Sequence, residues 1–193
     1  MSKWNNTVDC GPKEWRCPFC NKEVAGRIGW YREFRNIRGD KVRDNIRICP
    51  NCDRPVILLY SGRTHPAPSF GNPIPNLSEQ INSAYEEART CVGCSAFTAC
   101  ALVCRKLLML IAVDKGAKEN LKFVQYVDFL SENHHVPAGS GDWVKHIKDR
   151  GNEATHELPN TSKADAIQIF EFTSMLLTLN YDYPARMKPE ADA

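Results

Sequence analysis

The rhythm of hydrophobic and polar positions changes near residue 78. Before it, β-prone stretches dominate. Residues 28–37 and 42–48 read as two strands turning at Arg38-Gly39-Asp40, and residues 56–60 as a third. After it, the spacing is helical. Ile81, Ala84, Ala88, Val92, Ala96, Ala99, Val103, Leu107, Leu110 and Ile111 recur at three- and four-residue steps, which predicts one long helix over 78–113 with a single buried stripe. Asn76 followed by Glu79 resembles a capping box at its start. A second helix fits 121–132, with Leu121, Val124, Tyr126, Val127 and Leu130 turned inward. Pro137 to Gly141 is a turn, after which Asp142 caps a short helix through Trp143, Val144 and Ile147. Ser162 and Asp165 cap a last helix carrying Ile167, Phe170, Phe172, Leu176, Leu177 and Leu179. Helices joined by short loops imply an antiparallel bundle. No internal repeat and no low-complexity tract stands out.

Two Cys-x-x-Cys pairs give the front of the chain its chemistry: Cys17-Pro18-Phe19-Cys20 and Cys49-Pro50-Asn51-Cys52. Each pair can form a tight knuckle whose thiolates converge on one metal, and two knuckles complete a tetrahedron. Cys17, Cys20, Cys49 and Cys52 are therefore expected to hold one Zn2+. Four thiolates leave no open position, so the ion is expected to be structural. A thioredoxin-like redox site would use one pair in a βαβ setting, which the pattern lacks. Cys10 and His65 lie nearby but are surplus to the tetrahedron.

The expected fold class is then mainly α, an antiparallel helical bundle preceded by a small β zinc ribbon. The expected division is a zinc ribbon with an N-terminal extension over 1–60 and a Pro-rich linker over 61–77. The bundle follows over 78–186, with a tail over 187–193. The prolines at 66, 68, 73 and 75 can continue neither a helix nor a central strand.

Composition refines this picture without overturning it. With 42% hydrophobic and 25% charged residues among 193, the chain has a normal globular balance, and no apolar run reaches the roughly 20 residues of a membrane span. The first residues are polar and lack the apolar core of a signal peptide, so the expected compartment is the reducing cytoplasm. Nine cysteines there read as ligands, core residues or reactive thiols rather than as disulfides. The net charge of +2 conceals an asymmetry. Residues 1–75 hold 13 Lys and Arg against 7 Asp and Glu, while residues 76–193 hold 12 against 16. In the basic part Trp30, Tyr31 and Phe34 interleave with Arg27, Arg32, Arg35, Arg38, Lys41, Arg43 and Arg47. That mixture suits base stacking with phosphate pairing, and equally an alternating strand with a small core and a solvated basic face.

Cys91-Val92-Gly93-Cys94 resembles a third knuckle, with Cys100 and Cys104 close behind. On one continuous helix, at about 100° per residue, Cys100 and Cys104 fall opposite Cys91. Those four then share no ion and read as small apolar core residues.

One further segment stands out: Lys148-Asp149-Arg150-Gly151-Asn152-Glu153-Ala154-Thr155-His156. Spacing alone makes His156 a packing or surface residue. Asn152 and His156, four apart, share a helical face, and Gly151 permits a local break. The order of parts over 77–186 resembles the domain-of-unknown-function family 4145, grouped with the HEPN superfamily of helical nucleotide-binding domains. It runs from Ser83-Ala84-Tyr85-Glu86-Glu87-Ala88 and the mid-helix Arg105 to the Arg-Gly-Asn-x-x-x-His element, the closing Ala164-Asp165-Ala166 helix and Tyr181 with Pro184. The resemblance implies a homodimer in which two protomers bring Arg150, Asn152 and His156 into one cleft. It implies a metal-independent endoribonuclease, in a prokaryotic defence or toxin setting, with the zinc ribbon docking nucleic acid or protein. In that chemistry His156 moves the proton of the RNA 2′-hydroxyl or of the leaving oxygen, Arg150 holds the phosphate and Asn152 orients. Gly151 directly after Arg150 departs from the family pattern, which places a polar residue there. The alternative is a noncatalytic zinc-ribbon adaptor that binds RNA, another nucleic acid or a protein partner and dimerises through the bundle. Neither reading involves a membrane.

Overall fold

The computed structural model describes residues 4–145, 147 and 161–187. The chain divides into two compact units, Met1–Ser69 and Phe70–Ala193. The expectation of a mainly α protein is overturned. The described residues are 43% helix and 21% strand, and the first unit holds one five-stranded antiparallel sheet, so the class is mixed α/β.

The sheet is a meander in chain order: β1 (Val8–Arg16), β2 (Glu23–Arg35), β3 (Lys41–Ile48), β4 (Pro55–Leu58) and β5 (Thr64–His65). Two of these strands escaped the pattern. β1 carries Gly11 and Pro12 in a bulge between Asp9 and Lys13, where period-two alternation is lost. It is held instead by a distant residue. The buried guanidinium of Arg47 donates to the carbonyls of Cys10, Gly11, Gly26 and Arg27, tying β1 and β2 to β3. β5 lies inside the Pro-rich stretch 61–77, pairing Thr64 with Leu58 and His65 with Ile57. From Phe70 onward the stretch belongs to the second unit, where Phe70, Ile74 and Leu77 sit in or against the helical core. The sheet's own core is small: Trp15, Val56 and Leu58 with Cys17 and Cys49, Val24 packing alongside.

The second unit contains α1 (Glu79–Gly93), α2 (Phe97–Asp114), α3 (Phe123–Glu132), a helical stretch over 141–145 and α4 (Lys163–Leu177). α2 is central and packs against α1, α3 and α4. Ser162 caps α4 as the spacing suggests, accepting from Asp165 N at 3.1 Å. Asn76 does not cap α1. That role falls to Ser78, which accepts from Ile81 N, while Asn76 (φ 63°) reaches the Asp182 carboxylate.

The single helix over 78–113 is two helices. Ser95 takes a left-handed conformation (φ 63°), the Ala96 N–H returns to Cys91 O at 2.8 Å, and the chain folds back. Gly93, a weak helix former, precedes the break. The break resets the buried stripe. Ala96 and Ala99 are exposed, and α2 instead buries Cys100, Cys104, Leu107, Leu108, Ile111 and Ala112.

α4 runs without interruption into one π-helical turn, Thr178–Asp182, and then α5 (Tyr183–Arg186). Pro184 explains the widening. It has no N–H to give Asn180 O, and its ring would crowd that carbonyl in a regular helix. Lys115 Nζ donates to Asn180 O instead, at 3.2 Å. The wide turn buries Asp182, which pairs with Arg186 at 2.6 Å. No helix among the described residues is long and apolar enough to cross a membrane.

Candidate metal centre

The two knuckles have the same backbone. In the first, Asn21 N donates to Cys17 O at 2.9 Å and Cys17 N to Lys22 O at 2.9 Å. In the second, Asp53 N donates to Cys49 O at 2.9 Å and Cys49 N to Arg54 O at 3.0 Å. Both loops require a left-handed residue after the second cysteine. Asn21 (φ 55°) and Asp53 (φ 57°) supply it, being the residue types besides glycine that tolerate it best. The side chains are reciprocal as well. Lys22 reaches Asn51 of the other knuckle at 3.3 Å, and Arg54 lies over the Phe19 ring of the first at 5.1 Å. Trp4 Nε1 secures the second knuckle from outside by donating to Asp53 Oδ1 at 3.0 Å.

This arrangement converges the four cysteines. Their sulfurs all lie within 4.8 Å of one another, with Cys17 to Cys52 at 3.7 Å and Cys20 to Cys49 at 3.8 Å. A tetrahedron with metal–sulfur bonds of about 2.3 Å has edges of about 3.8 Å, so these separations fit a four-coordinate ion. They are too long for disulfides, whose sulfurs lie about 2.05 Å apart. Cys17 and Cys49 are buried, and Cys20 and Cys52 are half-buried. Burial pushes the Cys17 thiol up to about 12. Burial also acts against Cys20, but the Lys22 N–H, the Asn51 amide and the neighbouring thiols outweigh it and lower that thiol to about 7. Without a cation the cluster thus resists carrying its full negative charge. A dication removes the repulsion and takes all four thiolates. The four cysteines can hold a metal ion, and all its positions would be filled by protein.

Among the described residues no second group of three or more His, Cys, Asp or Glu side chains converges in this way. The helix-wheel separation of Cys91 from Cys100 and Cys104 assumed a continuous helix, which the break at Ser95 removes. Cys100 and Cys104 are nonetheless core residues of α2, their sulfurs 4.0 Å apart beside the carbonyl of Ala166.

The seven basic residues that interleave with the aromatics sort into three kinds. Arg47 is internal. Arg27, Arg32 and Arg43 are paired with Asp9, Asp44 and Glu33 at 2.7, 2.8 and 2.7 Å. The Arg27 guanidinium holds the Asp9 carboxyl below its ordinary value, and the Tyr60 N–H with Arg32 does the same for Asp44. Arg35, Arg38 and Lys41 have no ion pair among the described residues.

Arg150, Asn152 and His156 lie outside the described residues. The knuckle partners Asn21, Lys22, Asp53 and Arg54 were missed by sequence reasoning, although a signal for them existed. Cys17-Pro18-Phe19-Cys20-Asn21-Lys22 and Cys49-Pro50-Asn51-Cys52-Asp53-Arg54 are one hexapeptide pattern used twice.

A family model described as "Domain of unknown function (DUF4145)" matches residues 86–191. No curated protein and no solved structure gives a match.

Proposed function

The chain belongs to the DUF4145 family, and from that premise we propose a nucleic-acid-docking protein built on a zinc ribbon, with a HEPN-like helical unit that pairs with a second copy. The carrying observation is the closed four-sulfur cluster, which organises a sheet unit of strongly positive charge. Zinc is the ion that four thiolates in a tetrahedron suit best when no redox chemistry is asked of it. A filled coordination sphere stabilises a surface and leaves no site for hydrolysis. Positive charge on that surface attracts a polyanion.

Fluorescence anisotropy of full-length, zinc-loaded protein with labelled DNA and RNA oligonucleotides tests the docking function. The expected result is binding at 50 mM salt that weakens at least tenfold by 200 mM. No binding to any oligonucleotide at 50 mM salt and tens of micromolar protein overturns it.

A second reading is favoured by the Arg-Gly-Asn-x-x-x-His element: the pair of helical units is a metal-independent endoribonuclease of a defence or toxin system. His156 would move the proton of the 2′-hydroxyl, Arg150 would hold the phosphate and Asn152 would orient it. Brief incubation with RNA in EDTA is then expected to leave 2′,3′-cyclic phosphate ends, with DNA untouched. His156→Ala should abolish cleavage, and light scattering should report twice the chain mass. Equal cleavage by wild type and His156→Ala, or a strict monomer, removes this reading.

A further inference from the structure

β2 and β3 are longer than their neighbours. β1 pairs with β2 no further than Gly29, and β4 pairs with β3 no further than Asn45. Beyond these points four rows, from Arg32 opposite Asp44 to Arg35 opposite Lys41, are paired only with each other. They form a two-stranded arm that extends about 14 Å past the sheet before its turn. Tyr60 braces the base: its N–H donates to Asp44 Oδ1 at 2.9 Å and its ring meets Phe34 edge-on at 5.6 Å.

The tip is held in a defined shape. The Asn36 carbonyl and side-chain oxygen accept from Gly39 N, Arg38 N and Asp40 N at 2.9, 2.9 and 3.0 Å, and Gly39 takes the left-handed position (φ 83°). Asn36 Nδ2 also engages the Asp40 carboxylate at 3.1 Å. Ile37, at the apex, is 103% exposed, so no described residue of the sheet unit covers it.

The charges on the arm are arranged against its own stability. Arg35 and Lys41 stand directly opposite each other, and neither has an ion pair among the described residues, although Arg35 Nη1 donates to Gly39 O at 2.6 Å. Like charges in that position destabilise a hairpin, and an anion between or beside them relieves the repulsion. Arg38 adds a third cation at the turn, which also carries the Asp40 carboxylate on Asn36. The arm's aromatic rings are already engaged, since Arg43 lies 4.5 Å over Tyr31 and Arg32 lies 4.9 Å over Phe34. Stacking single-stranded bases on them would first displace a guanidinium. Cations without a carboxylate partner among the described residues, together with occupied rings, fit a phosphate backbone better than unstacked bases.

We propose that the β2–β3 arm enters a groove of double-stranded DNA, with Arg35, Arg38 and Lys41 on the flanking phosphates and Ile37 toward the base pairs. The inference rests on the nucleic-acid-docking reading and specifies its site and ligand. A two-stranded ribbon fits a B-form major groove, about 12 Å wide and 8.5 Å deep, and the arm is long enough to reach its floor. The major groove of A-form RNA is too narrow to admit it.

The test is anisotropy of the full-length, zinc-loaded protein on a 20-base-pair DNA duplex, the RNA duplex of the same sequence and the DNA single strand, across a salt series. The DNA duplex should bind tightest, with a slope of log affinity against log salt of about −3, near 0.9 per neutralised phosphate. Arg35→Gln/Arg38→Gln/Lys41→Gln should weaken binding at 50 mM salt at least tenfold and flatten the slope, with circular dichroism and zinc content unchanged. Lys41→Glu, which turns the repulsive pair into an attractive one, should melt no lower than wild type yet bind worse than Lys41→Gln. If the triple variant binds like wild type, or if RNA duplex or single strand is preferred, the arm assignment is overturned while nucleic-acid docking stands. If wild type binds none of the three, both fall.

Discussion

Stripping the metal with a strong chelator, or replacing Cys17→Ser, is expected to unfold the sheet unit outright and leave the helical unit folded. The reason is the size of the sheet's core. Among the described residues, Trp15, Val56 and Leu58 are its only buried apolar side chains apart from cysteines and Ile48 at the edge of burial. A unit of fewer than 70 residues with so small a core seldom stands without a staple. A four-thiolate zinc site supplies an apparent binding free energy of about 10–16 kcal/mol near neutral pH, comparable with or larger than the whole stability of a small domain. Loss of one ligand also leaves three thiols crowded around a vacancy, two of them half-buried. Tryptophan emission reads the result selectively, because Trp4, Trp15 and Trp30 lie in the sheet unit and Trp143 alone in the helical one. A red shift with most of the helical circular dichroism retained is the expected outcome. Unchanged emission in the metal-free protein would show that the sheet does not depend on the ion.

Arg89→Leu is expected to cost the helical unit about 3 kcal/mol and to lower its melting temperature by roughly 10 °C. The Arg89 side chain is 4% exposed. Its Nε donates to Phe70 O and its Nη2 to Gly71 O, each at 2.9 Å, and its Nη1 meets both oxygens of Glu86 at 2.7 Å. The backbone closes the same strap, since Phe70 N donates to Arg89 O at 3.1 Å. The strap lays Phe70 edge-on against Phe170, 5.3 Å between centroids, and Phe170 stacks on Tyr85 at 5.6 Å. Tyr85 Oη in turn donates to Asn72 O at 2.9 Å. Leucine fills part of the volume but strands the carbonyls of half-buried Phe70 and Gly71, while the Glu86 carboxylate, its side chain 40% exposed, turns to water. Arg89→Lys should fall between, because a single ammonium cannot serve three acceptors in one plane. Amide exchange should show residues 70–76 opening first. A melting temperature within 2 °C of wild type for Arg89→Leu would mean the strap contributes little.

What could be read from the sequence was whatever is encoded locally. The convergence of four cysteines was legible because each Cys-x-x-Cys pair is specified by four consecutive residues. The start of α4 was legible because Ser162 and Asp165 lie within one turn. β1 was not, because its pairing depends on Arg47, more than 30 residues away, and its bulge erases alternation where Gly11 and Pro12 sit. The mixed class followed from that omission and from β5, hidden among prolines. The break at Ser95 was invisible to periodicity for another reason. Two helices with different phases were fitted as one, so Ala96 and Ala99 took the inward places that Cys100 and Cys104 hold. A position that demands positive φ is weakly marked when serine rather than glycine occupies it. Arg150, Asn152 and His156 lie outside the described residues, and their part in the function rests on the experiments above.

The π-helical turn over Thr178–Asp182 bears on how this chain is to be compared with other members of its family. A π turn accommodates one more residue than the α-helical turn it replaces, while the axis continues on both sides. The side chains of Tyr183 to Arg186 are therefore rotated by about 100° from where an unbroken α-helix would carry them. A relative with a plain helix and no proline matching Pro184 would superpose on both ends of this segment only with a one-residue gap placed inside the helix. An alignment that forbids gaps in helices would instead match Asp182, Tyr183 and Arg186 to residues facing other directions.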